Sequence, residues 1–247
     1  MASSMRNLVG LGVVIVSAII VLVGLGIWQL ERLSAKSVLL ERISERLDAS
    51  PVALPSETAW MKLNADESDY LKVTLSGTFL HEQESYLFGV IDKNERGDNE
   101  PGFFVMTPLA LDDGAIIIVN RGFIPQALKD PARRMDGQIK GRVTLTGLLR
   151  LPERKTIFTP DADPSKRVLY ARDPALIAGW LTMQRVAPFI VDADATANPG
   201  GWPLGGQTIV SVPNNHLQYA ITWFALALVM SAMLALYVIP RLKGRAV

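Results

Sequence analysis

Two long apolar segments, one near each end of the chain, dominate the pattern of hydrophobic and polar positions. Residues 7–30 and 217–240 each comprise 24 residues without a charged side chain. As a helix, each segment would extend about 36 Å, which exceeds the roughly 30 Å hydrocarbon core of a bilayer. The pattern therefore predicts transmembrane α-helices at residues 8–30 and 216–240, with a large domain at residues 31–215 between them.

A helical pattern continues beyond the first span. Leu33, Leu40, Ile43 and Leu47 fall on one stripe, and the basic residues of this segment lie largely off it. The helix is expected to end before Pro51, because proline disfavours the helical conformation of the residue that precedes it. The basic side leaves two interpretations open: contact with anionic membrane lipid, or a solvated helix face.

The pattern changes from helical to strand-like in the domain that follows. Five short segments rich in Val, Ile, Thr, Phe and Tyr are separated by clusters of Gly, Asp and Asn; they are 70–80, 84–90, 102–111, 115–123 and 142–150. Closely spaced strands with short connections are typical of an antiparallel sheet, including one closed into a barrel. Two further strands are expected at 188–194 and 208–212.

A short helix is predicted at 175–181, with Asp173 as its N-cap and Pro174 at its first position. Together these elements predict a membrane protein in which two transmembrane α-helices flank an antiparallel β-rich (α+β) domain.

Basic residues outside the spans predict the orientation. Arg6 precedes the first span, Arg241 and two more basic residues follow the second, and neither flank contains an acid. The positive-inside rule places residues 1–7 and 241–247 in the cytoplasm and the domain in the periplasm. The first apolar run exceeds that of a signal peptide and lacks an A-x-A-like cleavage site, which favours an uncleaved anchor. No Arg-rich, Ser-rich transit peptide precedes it, which favours a bacterial inner-membrane protein over the alternative of a mature mitochondrial one.

Composition narrows the possible functions. The net charge of +1, with both signs mixed, excludes the basic face expected of a nucleic-acid-binding protein. The absence of cysteine excludes disulfides and thiol chemistry, and with two histidines a zinc site is disfavoured. The common nucleophile, phosphate-loop and metalloprotease motifs are missing. No catalytic residue is therefore assigned, and the chain is not predicted to be an enzyme.

Small residues recur along both spans and predict close helix packing, most simply between the two spans themselves. They are Gly10, Ser17 and Gly24 in the first span, and Ala220, Ala227 and Ser231 in the second.

His216 lies at the start of the second span and is the main candidate for a binding residue. Tyr219, Ala220, Trp223 and Phe224 follow it on one side of the helix. A neutral imidazole above such a face suits a flat, iron-bearing ligand. The alternative is structural, because His, Tyr and Trp are ordinary interfacial residues and the preceding asparagines suit a helix cap.

Several motifs resemble, in order, those of the surfeit locus protein 1 family of cytochrome c oxidase assembly factors. The second span and the segment before it, 206–227, are similar to the C-terminal signature of the family. Three other motifs match, carried by Trp28, Gln29, Arg32 and Lys36, by Gly77, Phe79, His81 and Glu84, and by Val119, Asn120, Arg121, Gly122 and Pro125. The chain departs from the family pattern at 168–173, where a tryptophan commonly precedes the Arg-Asp pair.

The resemblance implies a non-catalytic role in building subunit I of cytochrome c oxidase. It implies that His216 is an axial ligand to the iron of haem a, which the protein holds before transfer to subunit I. Haem a synthase and membrane lipid are the other expected partners. The alternative is a scaffold that stabilises subunit I without binding haem.

Two other residues of the family motifs have open roles. Arg121 precedes Gly122, where a bulge or turn would direct its side chain toward a haem propionate, a partner carboxylate or an acid within the domain. His81 is expected to be a hydrogen-bonded structural histidine.

Overall fold

The computed structural model describes residues 2–92, 99–207 and 214–243. The chain divides into two compact units, one formed by residues 1–43 and 211–247 and the other by residues 44–210. The two apolar segments, 7–30 and 217–240, lie in the first unit, and the last five residues of the first helix, 44–48, belong to the second.

Two helices form the first unit. Helix α1 comprises Ala2–Asp48 and helix α5 comprises His216–Lys243. Both contain a segment long and apolar enough to cross a membrane, as predicted. The first helix also continues beyond its apolar run and ends before Pro51, as predicted.

The stripe predicted for α1 is wrong as a packing face against α5. Gly24 and Ser17 are exposed, whereas Gly26 and Gln29 are buried. The buried or half-buried positions of residues 10–30 form a stripe displaced by two residues from the predicted one: Gly12, Ile15, Ala18, Ile19, Leu22, Leu25, Gly26 and Gln29. Every stripe of a helix recurs about every seven residues, so the recurrence alone does not identify which stripe faces a partner. On α5, Ala220 and Ala227 are buried as predicted, and Ser231 is exposed.

Eight strands form the sheet of the second unit. They are β1 (Val52–Ala53), β2 (Lys72–Phe79), β3 (Ser85–Asp92), β4 (Asn99–Leu111), β5 (Ile116–Pro125), β6 (Arg142–Arg150), β7 (Val168–Leu169) and β8 (Val186–Ala193). Three short helices accompany them: α2 (Glu57–Trp60), α3 (Ala65–Ser68) and α4 (Pro174–Trp180). Six predicted strands and the short helix are thereby confirmed, whereas the strand predicted at 208–212 lies outside the described residues. Asp173 caps α4 by accepting a hydrogen bond from the Leu176 amide at 2.9 Å, and Pro174 is its first residue.

Five of the strands close into a barrel, as the sequence suggested. The pairings run from β2 to β6, β8, β5 and β4 and return from β4 to β2. Strands β3 and β7 extend the sheet outward from β4, and β1 extends it from β2.

The sheet is mixed, so the prediction that it is antiparallel is wrong in three places. The β5–β8, β1–β2 and β3–β7 pairs are parallel. The interior of the barrel explains why β5 fits a parallel pair. Its Ile117 and Val119 join a core cluster with residues of β2, β4, β6 and β8, whereas Ile118 joins a second cluster with β3 and α4. A strand buried on both faces is a continuous apolar run, which is typical of parallel pairing.

Candidate functional site

His216 begins helix α5 and is hydrogen-bonded across the helix pair. Its Nδ1 lies 2.7 Å from Oε1 of Gln29, which is on α1. Gln29 is 9% exposed, and the neighbouring Gly26 allows α1 to approach closely, because a Cβ there would lie 2.7 Å from the ring of Phe224. Within the described residues, Nε2 of His216 has no hydrogen-bond partner. The helix pair therefore fixes one nitrogen of the ring and leaves the other available to a ligand.

The side chains that follow His216 do not form one continuous face. Ala220 is buried and Phe224 is half-buried against Gly26, whereas Tyr219 is 54% exposed. The helix pair also contains unpaired polar atoms. The indole Nε1 of Trp223 and Oδ1 of Asn214 are buried without a hydrogen-bond partner among the described residues. Such atoms are rare in native structures and are often satisfied by a molecule that the structure does not contain.

His81 uses both of its ring nitrogens within the domain. Nε2 lies 2.9 Å from the carbonyl oxygen of Ile139 and so donates to it, while Nδ1 lies 3.4 Å from Nη1 of Arg121 and accepts from it. His81 lies in a 3₁₀ turn at His81–Gln83, directly after β2. No nitrogen lone pair is left for a metal, so the expected structural role is confirmed.

Glu84 is the centre of a buried ion cluster that joins two of the sequence motifs. Arg134 binds it with both guanidinium ends, at 3.2 and 2.5 Å, and Arg121 lies 3.7 Å away. Arg121 also donates to the carbonyl of Gly137 and to Oδ1 of Asn198, and its guanidinium lies 4.8 Å from the ring centre of Phe79. Arg121 therefore pairs with an acid of its own domain.

A bulge in β5 directs Arg121 into this cluster, as predicted. Between the Phe104–Phe123 and Met106–Asn120 pairs, β5 has one residue more than β4. The extra backbone includes Gly122 with φ +121°, where a Cβ would lie 2.1 Å from the carbonyl oxygen of Leu204. Only glycine fits that position.

The charges in the cluster hold each other ionised. Burial raises the pKa of Glu84, but the hydrogen bonds and charge of Arg134, together with the charge of Arg121, outweigh it and lower that pKa below its usual value. Burial lowers the pKa of Arg121 to about 10, against the opposing charge of Glu84. At neutral pH Glu84 and Arg121 are therefore both ionised, which is characteristic of a structural ion pair rather than an acid–base site.

The sequence motifs identified most, but not all, of these residues. His81, Glu84 and Arg121 belong to two motifs that the fold brings together, while Arg134 was not singled out. Its segment, 130–134, carries two adjacent arginines after a proline turn and no periodicity that would mark one of them as buried. Gln29 was named only as a motif residue. The sequence feature that could have identified Gln29 is its amide within an apolar helix, because a polar group there needs a hydrogen-bond partner.

The helix pair and the barrel define the general class of protein. It is a β-barrel protein with two helices that could span a membrane, and a histidine with one nitrogen unpaired among the described residues lies at the end of that helix pair. In the described part of the chain, no group of three or more His, Cys, Asp or Glu side chains is arranged to hold a metal ion.

The comparisons with known proteins identify the family. Residues 16–228 match the SURF1 family. A SURF1-like protein of Monosiga brevicollis is 36% identical over 247 residues, which cover 95% of this chain and 89% of that protein. The surfeit locus protein 1 of Rattus norvegicus and that of Homo sapiens are each 34% identical, over 82% and 83% of this chain and 67% and 69% of their own lengths. The chain belongs to the SURF1 family.

Proposed function

We propose that this protein is a cytochrome c oxidase assembly factor that binds haem a and assists its insertion into subunit I. The observation that supports it most directly is the state of His216. One ring nitrogen is held by Gln29 at 2.7 Å, and the other has no partner among the described residues. Membership of the SURF1 family supports the assembly role and a non-catalytic mode of action.

The residues at the helix pair fit a haem. An imidazole nitrogen would serve as the protein ligand to the iron of a bound haem, and apolar surroundings would suit the macrocycle. Nε2 of His216 is such a ligand, and the surrounding helices are apolar. The Nε1–H of Trp223, two turns along the same helix, has no acceptor among the described residues and would be available to a polar substituent of the ligand.

The protein acts by temporary binding rather than by turnover. His216 would hold the iron, the two helices would shield the ligand from water, and the ligand would leave for a stronger site in subunit I. Haem a synthase is the proposed source of the ligand, and membrane lipid surrounds the spans.

We further propose that the protein resides in the bacterial inner membrane, with both termini in the cytoplasm and the barrel in the periplasm.

The experiment is to purify the full chain from cells that make haem a and to record its absorption spectrum beside that of His216→Ala. We expect the wild type to retain haem a and the variant to lose most of it, because the axial nitrogen is removed. Gln218→Ala is the matched control, since Gln218 is an exposed residue of the same helix. It should retain haem a.

A wild-type protein without haem a, or a His216→Ala variant that retains it equally well, would refute haem binding by His216. If haem binding is refuted in this way and subunit I nevertheless fails to accumulate in cells that lack the protein, the alternative role is supported. That role is a scaffold that stabilises subunit I without haem.

A further inference from the structure

Gln29 is a polar side chain on the buried stripe of an otherwise apolar helix. It is 9% exposed, and its Oε1 lies 2.7 Å from Nδ1 of His216. An unpaired amide in an apolar environment costs several kcal/mol, so the hydrogen bond to His216 compensates for its burial. The two residues are 187 positions apart in sequence. Their meeting is therefore a property of the helix pair, not of either motif alone.

The chemistry of the amide determines which ring nitrogen carries the proton. A carbonyl oxygen can only accept a hydrogen bond, so Nδ1 of His216 must be the donor. A neutral imidazole has a single N–H, which leaves Nε2 with its lone pair. His81 shows the opposite arrangement, because its Nε2 donates to the carbonyl oxygen of Ile139. The two histidines of the chain are thus held in different tautomers.

We propose that Gln29 is a positioning residue that fixes His216 in the Nδ1–H tautomer and presents Nε2 to the haem iron. A neutral amide is also a weaker acceptor than a carboxylate, so it increases the basicity of the ring only slightly. Gln29 thereby orients the ligand while keeping the iron–nitrogen bond weak enough for release. The part that concerns haem rests on the proposed function, whereas the tautomer is a property of the ligand-free protein.

The tautomer is tested first, without haem. The full chain, labelled with ¹⁵N-histidine and reconstituted in nanodiscs, contains two histidines, and the His216→Ala variant assigns their ¹⁵N–¹H correlations. We expect the wild type to show the proton on Nδ1 of His216. Gln29→Leu should move it largely to Nε2, the form that free imidazole side chains prefer. Gln218→Leu, at an exposed position of α5, should leave it unchanged.

The haem-dependent part is tested by titration of the same proteins with extracted haem a. Gln29→Leu should weaken binding by about 10–100-fold, the usual effect of removing the partner of a metal-bound histidine. Gln29→Glu should restore binding, lower the midpoint potential of the iron and slow its release, because a carboxylate makes the ring a stronger donor. If Gln29 had only a structural role, the Gln29→Glu substitution would leave the midpoint potential of the iron unchanged.

The outcomes separate the two proposals. A proton on Nε2 in the wild type, or a tautomer unaffected by Gln29→Leu, refutes the inference about Gln29. A shifted tautomer with unchanged haem affinity refutes the positioning role. If the wild type has its proton on Nδ1 but does not bind haem a, the proposed function fails and the tautomer assignment stands.

Discussion

At Glu84, one buried carboxylate pairs with two buried arginines, and this explains why two distant motifs share a single structural role. The side chains of Glu84 and Arg121 are each 2% exposed, and that of Arg134, the bidentate partner, is 1% exposed. Removing the acid would leave two cations without a counter-charge in an apolar interior. Loss of one member of a buried pair typically destabilises a protein by about 3–5 kcal/mol.

The Glu84→Gln substitution should therefore lower the free energy of unfolding of the barrel and make that free energy less dependent on pH. The pKa of Glu84 is lowered in the folded state relative to its usual 4.5. Its ionised form contributes stability that is fully present above pH 4.5 and is lost as the pH falls toward the lowered folded value. Chemical unfolding of the full chain in detergent, followed by near-UV circular dichroism between pH 3 and 7, measures this contribution.

The control for this substitution is Asp112→Asn. Asp112 pairs with Arg142 at 2.9 Å, but both side chains are mostly exposed. Surface pairs contribute little, so the control should unfold at nearly the wild-type denaturant concentration. Equal loss of stability in both variants would contradict the view that the Glu84 cluster is held together by its burial.

At the scale of elements, close approach of α1 and α5 depends on one small residue beside Gln29. A Cβ at Gly26 would lie 2.7 Å from the Phe224 ring, whereas Gly24 has no such neighbour within 4 Å. Helices in a membrane associate mainly through close packing, so a larger side chain at Gly26 should separate them.

The Gly26→Leu substitution should loosen α5, and Gly24→Leu should not. Hydrogen–deuterium exchange of peptides from 216–227 in detergent measures the effect, since exchange reports local opening. We expect faster exchange in Gly26→Leu only. If both variants exchange at the wild-type rate, the contact between Gly26 and Phe224 does not contribute to the stability of the pair.

Local patterns predicted the elements well but not all of their partners. Local backbone preference predicts the N-cap at Asp173 and the glycine at the bulge beside Arg121. Burial predicts the apolar strand residues 116–119. The parallel neighbour of β5 could not be predicted, because β8 is 61 residues further along the chain, from Pro125 to Val186. The displaced stripe of α1 and the burial of Arg134 likewise depend on contacts that only the folded chain creates.

At the scale of the whole molecule, the absence of cysteine makes the orientation directly testable. Ile157 is 92% exposed in the loop between β6 and β7, so a thiol placed there is accessible to reagents. The Ile157→Cys variant should react with a membrane-impermeant maleimide in intact cells, whereas Val247→Cys should react only after lysis. The reverse pattern would place the barrel in the cytoplasm.

The order of strands in the barrel has a consequence for how the protein is made. Strand β8 pairs with both β5 and β6, yet it is the last of the five barrel strands to be synthesised. Any chain that ends before Val186 has an open sheet in which two strands expose unpaired backbone groups. Such edges promote aggregation and attract proteases. Premature termination anywhere upstream of β8 should therefore yield a chain that is degraded rather than a shortened domain that retains partial activity.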